Sequence, residues 1–180
     1  GSALYVEGNL TIDKSRISDA NAVYVNNGAT VNLTNTTITN SNSDYAVSND
    51  GTLYLGDDTF NSIILNNADG LINSTTYTVI ANNETIVIDE GDNATVNATI
   101  KDDKGNIIKV TSFTVNVNGT DYTMEFANNA YSATVENLVP GIYPVTPSVV
   151  GLGANVINST SIKVIGETSI ALEIVKNNEG

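Results

Sequence analysis

The chain has 180 residues, of which 20 are acidic and 7 basic, and it carries a formal net charge of −13 with neither histidine nor cysteine. A surface of this sign repels phosphate backbones and anionic lipid, so the sequence predicts no nucleic-acid partner and no electrostatic docking on membranes. The lack of cysteine excludes a disulfide framework and a thiolate metal site. No apolar run reaches the roughly 18 residues of a membrane-spanning helix, so no direct membrane insertion is predicted.

The first part of the chain repeats one frame, in which an aliphatic residue is followed two places later by a second and five places after that by a third apolar residue. The copies occupy residues 10–17, 31–38 and 53–60, each with a glycine shortly upstream. Their first positions lie 21 and 22 residues apart, and Ile72 continues the series after 19 more. A spacing of two is typical of a strand with one buried face, and the step of five leaves room for a tight polar turn.

One such period, at roughly 3.3 Å per extended residue, is a circuit of about 65 Å, which fits one coil of a parallel β-helix. A single coil cannot bury its apolar face, but coils stacked at a fixed period can. We therefore expect residues 1–75 to form a short right-handed parallel β-helix fragment; an ordinary antiparallel sheet with similar hairpins is the alternative. The expected inward side chains are Leu4, Val6, Leu10, Ile12, Ile17, Val23, Val25, Val31, Leu33, Ile38, Val47, Leu53, Leu55, Phe60, Ile64 and Ile72.

This period stops at Thr76, and short alternating segments separated by turn signals follow it. Short strands punctuated every 8–12 residues or so are typical of an immunoglobulin-like β-sandwich. The pair Asn118-Gly119 predicts a hairpin, and Tyr143 stands where such sandwiches place the tyrosine that opens a strand. We expect an all-β chain, with the sandwich at residues 76–166 and a linker or the first strand of a following module at residues 167–180.

A family resemblance rests on three segments of the second half, which read IVIDEGDNATVNATIKDDKGN, FTVNVNGTDY and LVPGIYPVTPSVVG. Together with the preceding coils, these segments resemble the adhesin-like surface proteins of methanogenic archaea, in which β-helix regions precede bacterial-type immunoglobulin-like repeats. The resemblance implies a non-enzymatic, extracellular, cell-wall-attached protein that binds other cells or surface glycans, with the sandwiches acting as stalk units. It also implies neighbouring modules in the same chain, and it supplies no catalytic residues.

Two other functions stay open. Enzymes on parallel β-helices that cleave acidic polysaccharides use carboxylates with a basic residue, and Asp57 and Asp58 are adjacent in the third coil. The only basic side chains in the coils are Lys14 and Arg16, and carboxylates in a turn are usually solvated or capping groups. The other reading is a purely structural stalk of the cell envelope that has no ligand.

Calcium is the one cofactor for which the sequence offers candidate ligands. Asp102, Asp103 and Asn106 lie in one loop and could supply some of the oxygen atoms that a hard cation requires. Their spacing does not match a calcium-loop motif, and a plain turn with Gly105 in the left-handed region explains the loop without metal. We therefore predict no cofactor, with calcium as the alternative.

Two kinds of surface site are predicted. Nine Asn-x-Ser/Thr acceptors occur, and Asn93 and Asn118, which fall in predicted turns, are the expected glycosylation sites. Tyr5 and Tyr24 occupy equivalent positions on successive coils, and Tyr54 lies between two inward leucines, so all three should point outward. Outward tyrosines offer flat surfaces for sugar rings, although they also serve to cover a sheet.

Overall fold

The computed structural model describes residues 3–19, 23–41, 43–81 and 84–168, so the linker or first strand expected at residues 167–180 lies outside the described residues from residue 169 onward. The described residues form strands, turns and bends without any helix, and the all-β prediction is confirmed. The strands of the first part are β1 (Leu4–Val6), β2 (Asn9–Asp13), β3 (Arg16–Asp19), β4 (Val23–Val25), β5 (Thr30–Thr34), β6 (Thr37–Asn40), β7 (Tyr45–Asn49), β8 (Thr52–Gly56), β9 (Thr59–Phe60), β10 (Ile63–Asn66) and β11 (Leu71–Ala81).

These strands form three stacks: each of the first three turns of the chain adds one strand to every stack, and the fourth adds one to the first and one to the second. The first stack has the order β1-β4-β7-β10, the second β2-β5-β8-β11 and the third β3-β6-β9. Every pairing within the three stacks is parallel. Parallel neighbours need a long crossover, and here each crossover is the remainder of one turn of the chain, which we call a coil.

The register within the second stack agrees with the sequence frame. Leu10 pairs with Val31, Val31 with Leu53 and Leu53 with Ile72, which confirms that these equivalent aliphatic residues lie above one another. The expected inward side chains are all buried or packed against the core. A Cβ atom at Gly51 would collide with the carbonyl oxygen of Ala29 in the preceding coil, so only glycine permits the close approach at this corner.

The strands of the second part are β12 (Ile86–Asp89), β13 (Ala94–Asp102), β14 (Ile108–Val110), β15 (Phe113–Val117), β16 (Thr120–Thr123), β17 (Glu125–Ala127), β18 (Ala130–Val135), β19 (Gly141–Val149), β20 (Leu152–Ile157) and β21 (Thr160–Ile165). One sheet has the order β17-β18-β13-β11 and the other β12-β21-β19-β15-β16. This distribution of strands over two sheets, in this chain order, is that of an immunoglobulin-like sandwich.

Three local features of the sandwich follow from the sequence. Asn118 and Gly119 have positive φ angles of 53° and 81° and connect β15 to β16, which confirms the predicted hairpin. The hydroxyl of Tyr143 donates to the carbonyl of Val139 at 2.7 Å and fixes the corner before β19. Tyr131 is buried in the core, and its hydroxyl accepts from the amide of Val110 and donates to the carbonyl of the same residue.

Strand β11 runs through the predicted boundary after residue 75. Its first three residues, Leu71–Asn73, pair in parallel with β8, and its last six, 76–81, pair antiparallel with β13 of the sandwich. Two further sandwich strands extend the stacks: β14 pairs in parallel with β10 in the first stack, and β20 pairs in parallel with β11 in the second. The sandwich therefore closes the end of the stacks that the last coil would otherwise leave open.

Candidate functional site

Tyr5 and Tyr24 lie on neighbouring strands of the first stack, where they are register partners. Their rings stack with centroids 5.1 Å apart and planes inclined by 9°. A hydrogen bond from the Tyr24 hydroxyl to the Asp50 carboxylate raises the pKa of Tyr24 above its usual value. Because the two rings face each other, the pair presents its edges and the outer face of Tyr5, which is 56% exposed, rather than a platform of two rings.

Tyr54 lies on the second stack and is not joined to the other two tyrosines. Its register partners are Asn32 on one side and Asn73 on the other, and its side chain is 44% exposed. The outward orientation expected for this residue and for Tyr5 is therefore found, but the three tyrosines do not form one surface.

The structure brings together the residues of the candidate calcium loop, but protein donors occupy the buried carboxylate. Asp102 is 3% exposed; its Oδ1 accepts from the amides of Lys104 (3.0 Å) and Asn106 (2.8 Å), and its Oδ2 accepts from Asn106 Nδ2 (2.8 Å). Asp103 is exposed, and Gly105 has the expected positive φ of 82°. Among the described residues, no group of three or more acidic, histidine or cysteine side chains is placed to hold a metal ion.

The same loop contacts the last coil. Asn106 Nδ2 donates to the carbonyl of Asp58 at 2.9 Å, and Asn106 Oδ1 accepts from the amide of Phe60 at 3.3 Å. The ammonium of Lys104 lies 2.6 Å from a carboxylate oxygen of Asp57. The loop at residues 102–107, together with β14 and β20, thus forms a contact region between sandwich and coils that we call the joint.

The adjacent carboxylates Asp57 and Asp58, considered for catalysis, have different surroundings. Asp58 is 1% exposed and accepts from the amides of Thr36 and Gly56, each at 2.8 Å. Burial raises the pKa of Asp58 despite these two donors, and the nearby carboxylate of Asp102 raises it further. Asp57 is exposed, has a positive φ of 58° and pairs with Lys104.

Lys109, which is not among the sequence-predicted site residues, connects both parts of the molecule. It lies on β14, and its ammonium is 5.8 Å from the ring centroid of Tyr45 in the coils and 5.2 Å from that of Phe126 in the sandwich. Each contact is within the range of a cation–π interaction. A lysine between two buried aliphatic residues, Ile108 and Val110, is the sequence signal that could have indicated an outward partner.

An asparagine ladder at one corner of the coils also ends on the sandwich. Asn49 Nδ2 donates to Asn66 Oδ1 at 2.7 Å, and Asn66 Nδ2 donates to the carbonyls of Gly70 (2.9 Å) and Gly151 (3.1 Å). Gly151 has a φ of 92°, and a Cβ atom there would collide with the Asn66 amide. The ladder therefore depends on the sandwich for its last acceptor.

The two expected glycosylation sites are exposed and lie at turns. Asn118 occupies the turn between β15 and β16, and Asn93 precedes β13 with its amide 3.3 Å from Glu136 Oε1. Asn158 begins another glycosylation acceptor sequence, but its side-chain amide accepts from the N–H of Ile80 and donates to the carbonyl of the same residue. An open cavity of about 480 Å³ lies beside Asn93 and is also lined by Asp89 and Asp92.

In the described part of the chain, there is no helix that is long and apolar enough to span a membrane. No family model matches the sequence, and no curated protein matches it. Solved structures give distant matches: an immunoglobulin-like domain of human obscurin-like protein 1 is 14% identical over 56% of this chain and 95% of that one, with a TM-score of 0.39. Domains 4 and 5 of the S-layer protein SbsC are 21% identical over 49% and 44% of the two chains, with a TM-score of 0.34. The Escherichia coli adhesin FdeC is 23% identical over 62% of this chain and 36% of that one, with a TM-score of 0.37.

Proposed function

We propose that the chain is a non-enzymatic segment of an extracellular, adhesin-like surface protein that works without a cofactor. In this proposal, residues 3–75 are a right-handed parallel β-helix fragment that presents a surface to other cells or their glycans. The sandwich is a stalk unit that holds this surface away from the cell wall. The family resemblance described above supports this extracellular location, and it also suggests an archaeal origin.

The single observation that carries the proposal is the continuous strand pairing through the joint. A spacer can present a surface in a fixed direction only if it does not swivel where the two parts meet. Strand β11 belongs to both parts, and β14 and β20 add sandwich strands to two of the stacks. Interfaces between domains are commonly mobile unless they are extensive, and shared strands remove that freedom.

Spin-label distance measurements test whether the spacer is rigid. The chain has no cysteine, so single labels can be placed at two exposed positions, Ser18→Cys in the coils and Thr146→Cys in the sandwich. We expect one narrow distance distribution, and a broader one when Lys104→Ala and Asn106→Ala are added. A broad distribution in the parent protein would contradict the rigid spacer.

Attachment of the protein to whole cells tests the adhesin function directly. We expect the cells to retain more of this protein than of an unrelated acidic β-sandwich. Retention no greater than that control would leave the purely structural stalk as the function. Turnover of an acidic polysaccharide that is lost in Asp57→Ala would contradict the non-enzymatic proposal.

A further inference from the structure

The outward face of the second stack consists mainly of uncharged polar side chains. Its exposed or half-buried side chains are Asn9, Thr11, Asp13, Thr30, Asn32, Thr34, Thr52, Tyr54, Leu71 and Asn73. Asp13 is the only charged residue among them, although the whole chain carries a net charge of −13. The face is therefore an almost uncharged area of amides and hydroxyls, which we call the neutral face.

Tyr54 lies in the middle row of the neutral face. This row consists of the register partners Thr11, Asn32, Tyr54 and Asn73, so amide side chains flank the ring on both neighbouring strands. Two places along its own strand, Gly56 has no side chain to cover the ring. The tyrosines on the first stack differ from Tyr54, because Tyr5 and Tyr24 turn their ring faces toward each other.

The next strand along the stack leaves the row uncovered. Strand β20 brings Leu152 opposite Ile72, which places Gly153 beside Asn73. A Cβ atom at Gly153 would collide with Asn73 Oδ1, so the glycine leaves room for the half-buried Asn73 amide. The neutral face therefore reaches the joint, and Tyr54 and Leu71 are the large side chains exposed on it.

We propose that the neutral face binds an uncharged polysaccharide, with one sugar ring packed on Tyr54 and its hydroxyls bonded by Asn32 and Asn73. The C–H groups of a sugar pack on an aromatic ring by dispersion, and amides supply both donors and acceptors for hydroxyls. The negative charge of the whole chain repels uronates and sulfated polymers, which commits the occupant to a neutral glycan. This inference rests on the proposed adhesin function and names the class of its ligand.

Affinity electrophoresis of the unglycosylated protein through gels containing mannan, dextran or hydroxyethylcellulose tests the proposal, with alginate as the anionic control. We expect retardation by at least one neutral polymer and none by alginate. Tyr54→Ala should weaken that binding about tenfold, whereas Tyr54→Phe, which keeps the ring, should bind as the parent does. Tyr5→Ala is the comparison variant, since it removes a 56% exposed tyrosine from another stack, and it should weaken binding much less than Tyr54→Ala does.

Three results would overturn the neutral face as a binding site: no retardation by any neutral polymer, unchanged binding in Tyr54→Ala, or an equal loss in Tyr5→Ala. Asn32 and Asn73 each begin a glycosylation acceptor sequence. A glycan found on either by mass spectrometry of protein from a glycosylating host would cover the face and would also overturn the proposal. The whole-cell assay separates the two proposals, because attachment retained by Tyr54→Ala preserves the adhesin function while moving its site elsewhere.

Discussion

The two ends of the coil stacks differ in how their interior is covered. At the first coil, the inward residues Leu4, Leu10, Ile12 and Ile17 are only partly buried. At the last coil, Ile64 and Ile72 occupy equivalent places and are fully buried, because β14 and β20 of the sandwich lie next to them. A stack of repeats needs a cap to exclude water from its last rung. The sandwich is therefore that cap as well as a neighbouring unit.

The largest expected effect comes from truncating the covered rung. Ile72→Ala should lower the free energy of unfolding by about 3–4 kcal/mol, because a cavity forms where the chain cannot easily collapse. Leu10→Ala is the matched variant at the partly exposed end and should lose less than half as much. Urea unfolding followed by circular dichroism gives both values, and equal losses would contradict the difference between the ends.

A smaller loss is expected from the polar contacts of the joint. Asn106→Ala removes the bonds to the Asp58 carbonyl, the Phe60 amide and the Asp102 carboxylate, and should cost about 2 kcal/mol. Asp103→Ala in the same loop removes an exposed side chain and serves as the control. If thermal unfolding of the two variants is indistinguishable, the loop does not fasten the sandwich to the coils.

Lys109→Met should have an effect of about 1 kcal/mol, because the methionine keeps the apolar stem but loses the charge between Tyr45 and Phe126. Lys163→Met, which changes an exposed lysine on β21, should leave the unfolding temperature unchanged. A stabilised Lys109→Met protein would show that this cation is not a favourable bridge across the joint.

The smallest expected effect is a pH dependence of the free energy of unfolding that arises from Asp58 at the joint. Its pKa is raised in the folded protein, first by burial and then by Asp102 and Asp57, while the ammonium of Lys104 faces Asp57 nearby. A raised pKa means that the folded state holds the proton more tightly, so this stabilising term is full below the unfolded pKa and is lost as pH rises through the folded one. Relative to Asp58→Asn, the parent should therefore gain stability as the pH falls from neutral toward 4 or so.

Urea unfolding of both proteins at several pH values measures this slope, and Asp103→Asn is the exposed control. The constant difference between the parent and Asp58→Asn is not informative, because Thr36 and Gly56 donate to different carboxylate oxygens and an asparagine has an NH2 group in place of one of them. A parent protein that loses stability relative to Asp58→Asn as the pH falls would contradict the predicted sign.

The sequence predicted the stacking of Leu10, Val31, Leu53 and Ile72 because it depends on a period that the chain repeats. Strands β14 and β20 could not be predicted as further rungs, since they are 36 and 80 residues beyond Ile72 and belong to no repeat. Their pairing partners are chosen by tertiary contact, which a local pattern does not contain.

The candidate sites show the same limit. The turn at Asp102–Asn106 was predicted from Gly105, whereas its contact with Asp57 and Asp58 joins residues more than 40 positions apart. The alignment of Tyr5 with Tyr24 followed from their equivalent positions, but the face-to-face packing of the rings depends on side-chain rotamers. The domain boundary at residue 75 stays a prediction, and β11 passes through it in one strand.

The parallel pairing of β12 with β21 has a mechanical consequence. Four register pairs, from Ile86–Ile162 to Asp89–Ile165, join β12, the first strand of this sheet in chain order, to β21, its last among the described residues. Tension along the polypeptide pulls two such strands past each other, so their bonds must rupture together rather than unzip in turn. In the proposed stalk, this pairing would resist stretching in the direction in which flow or a moving neighbour pulls the chain.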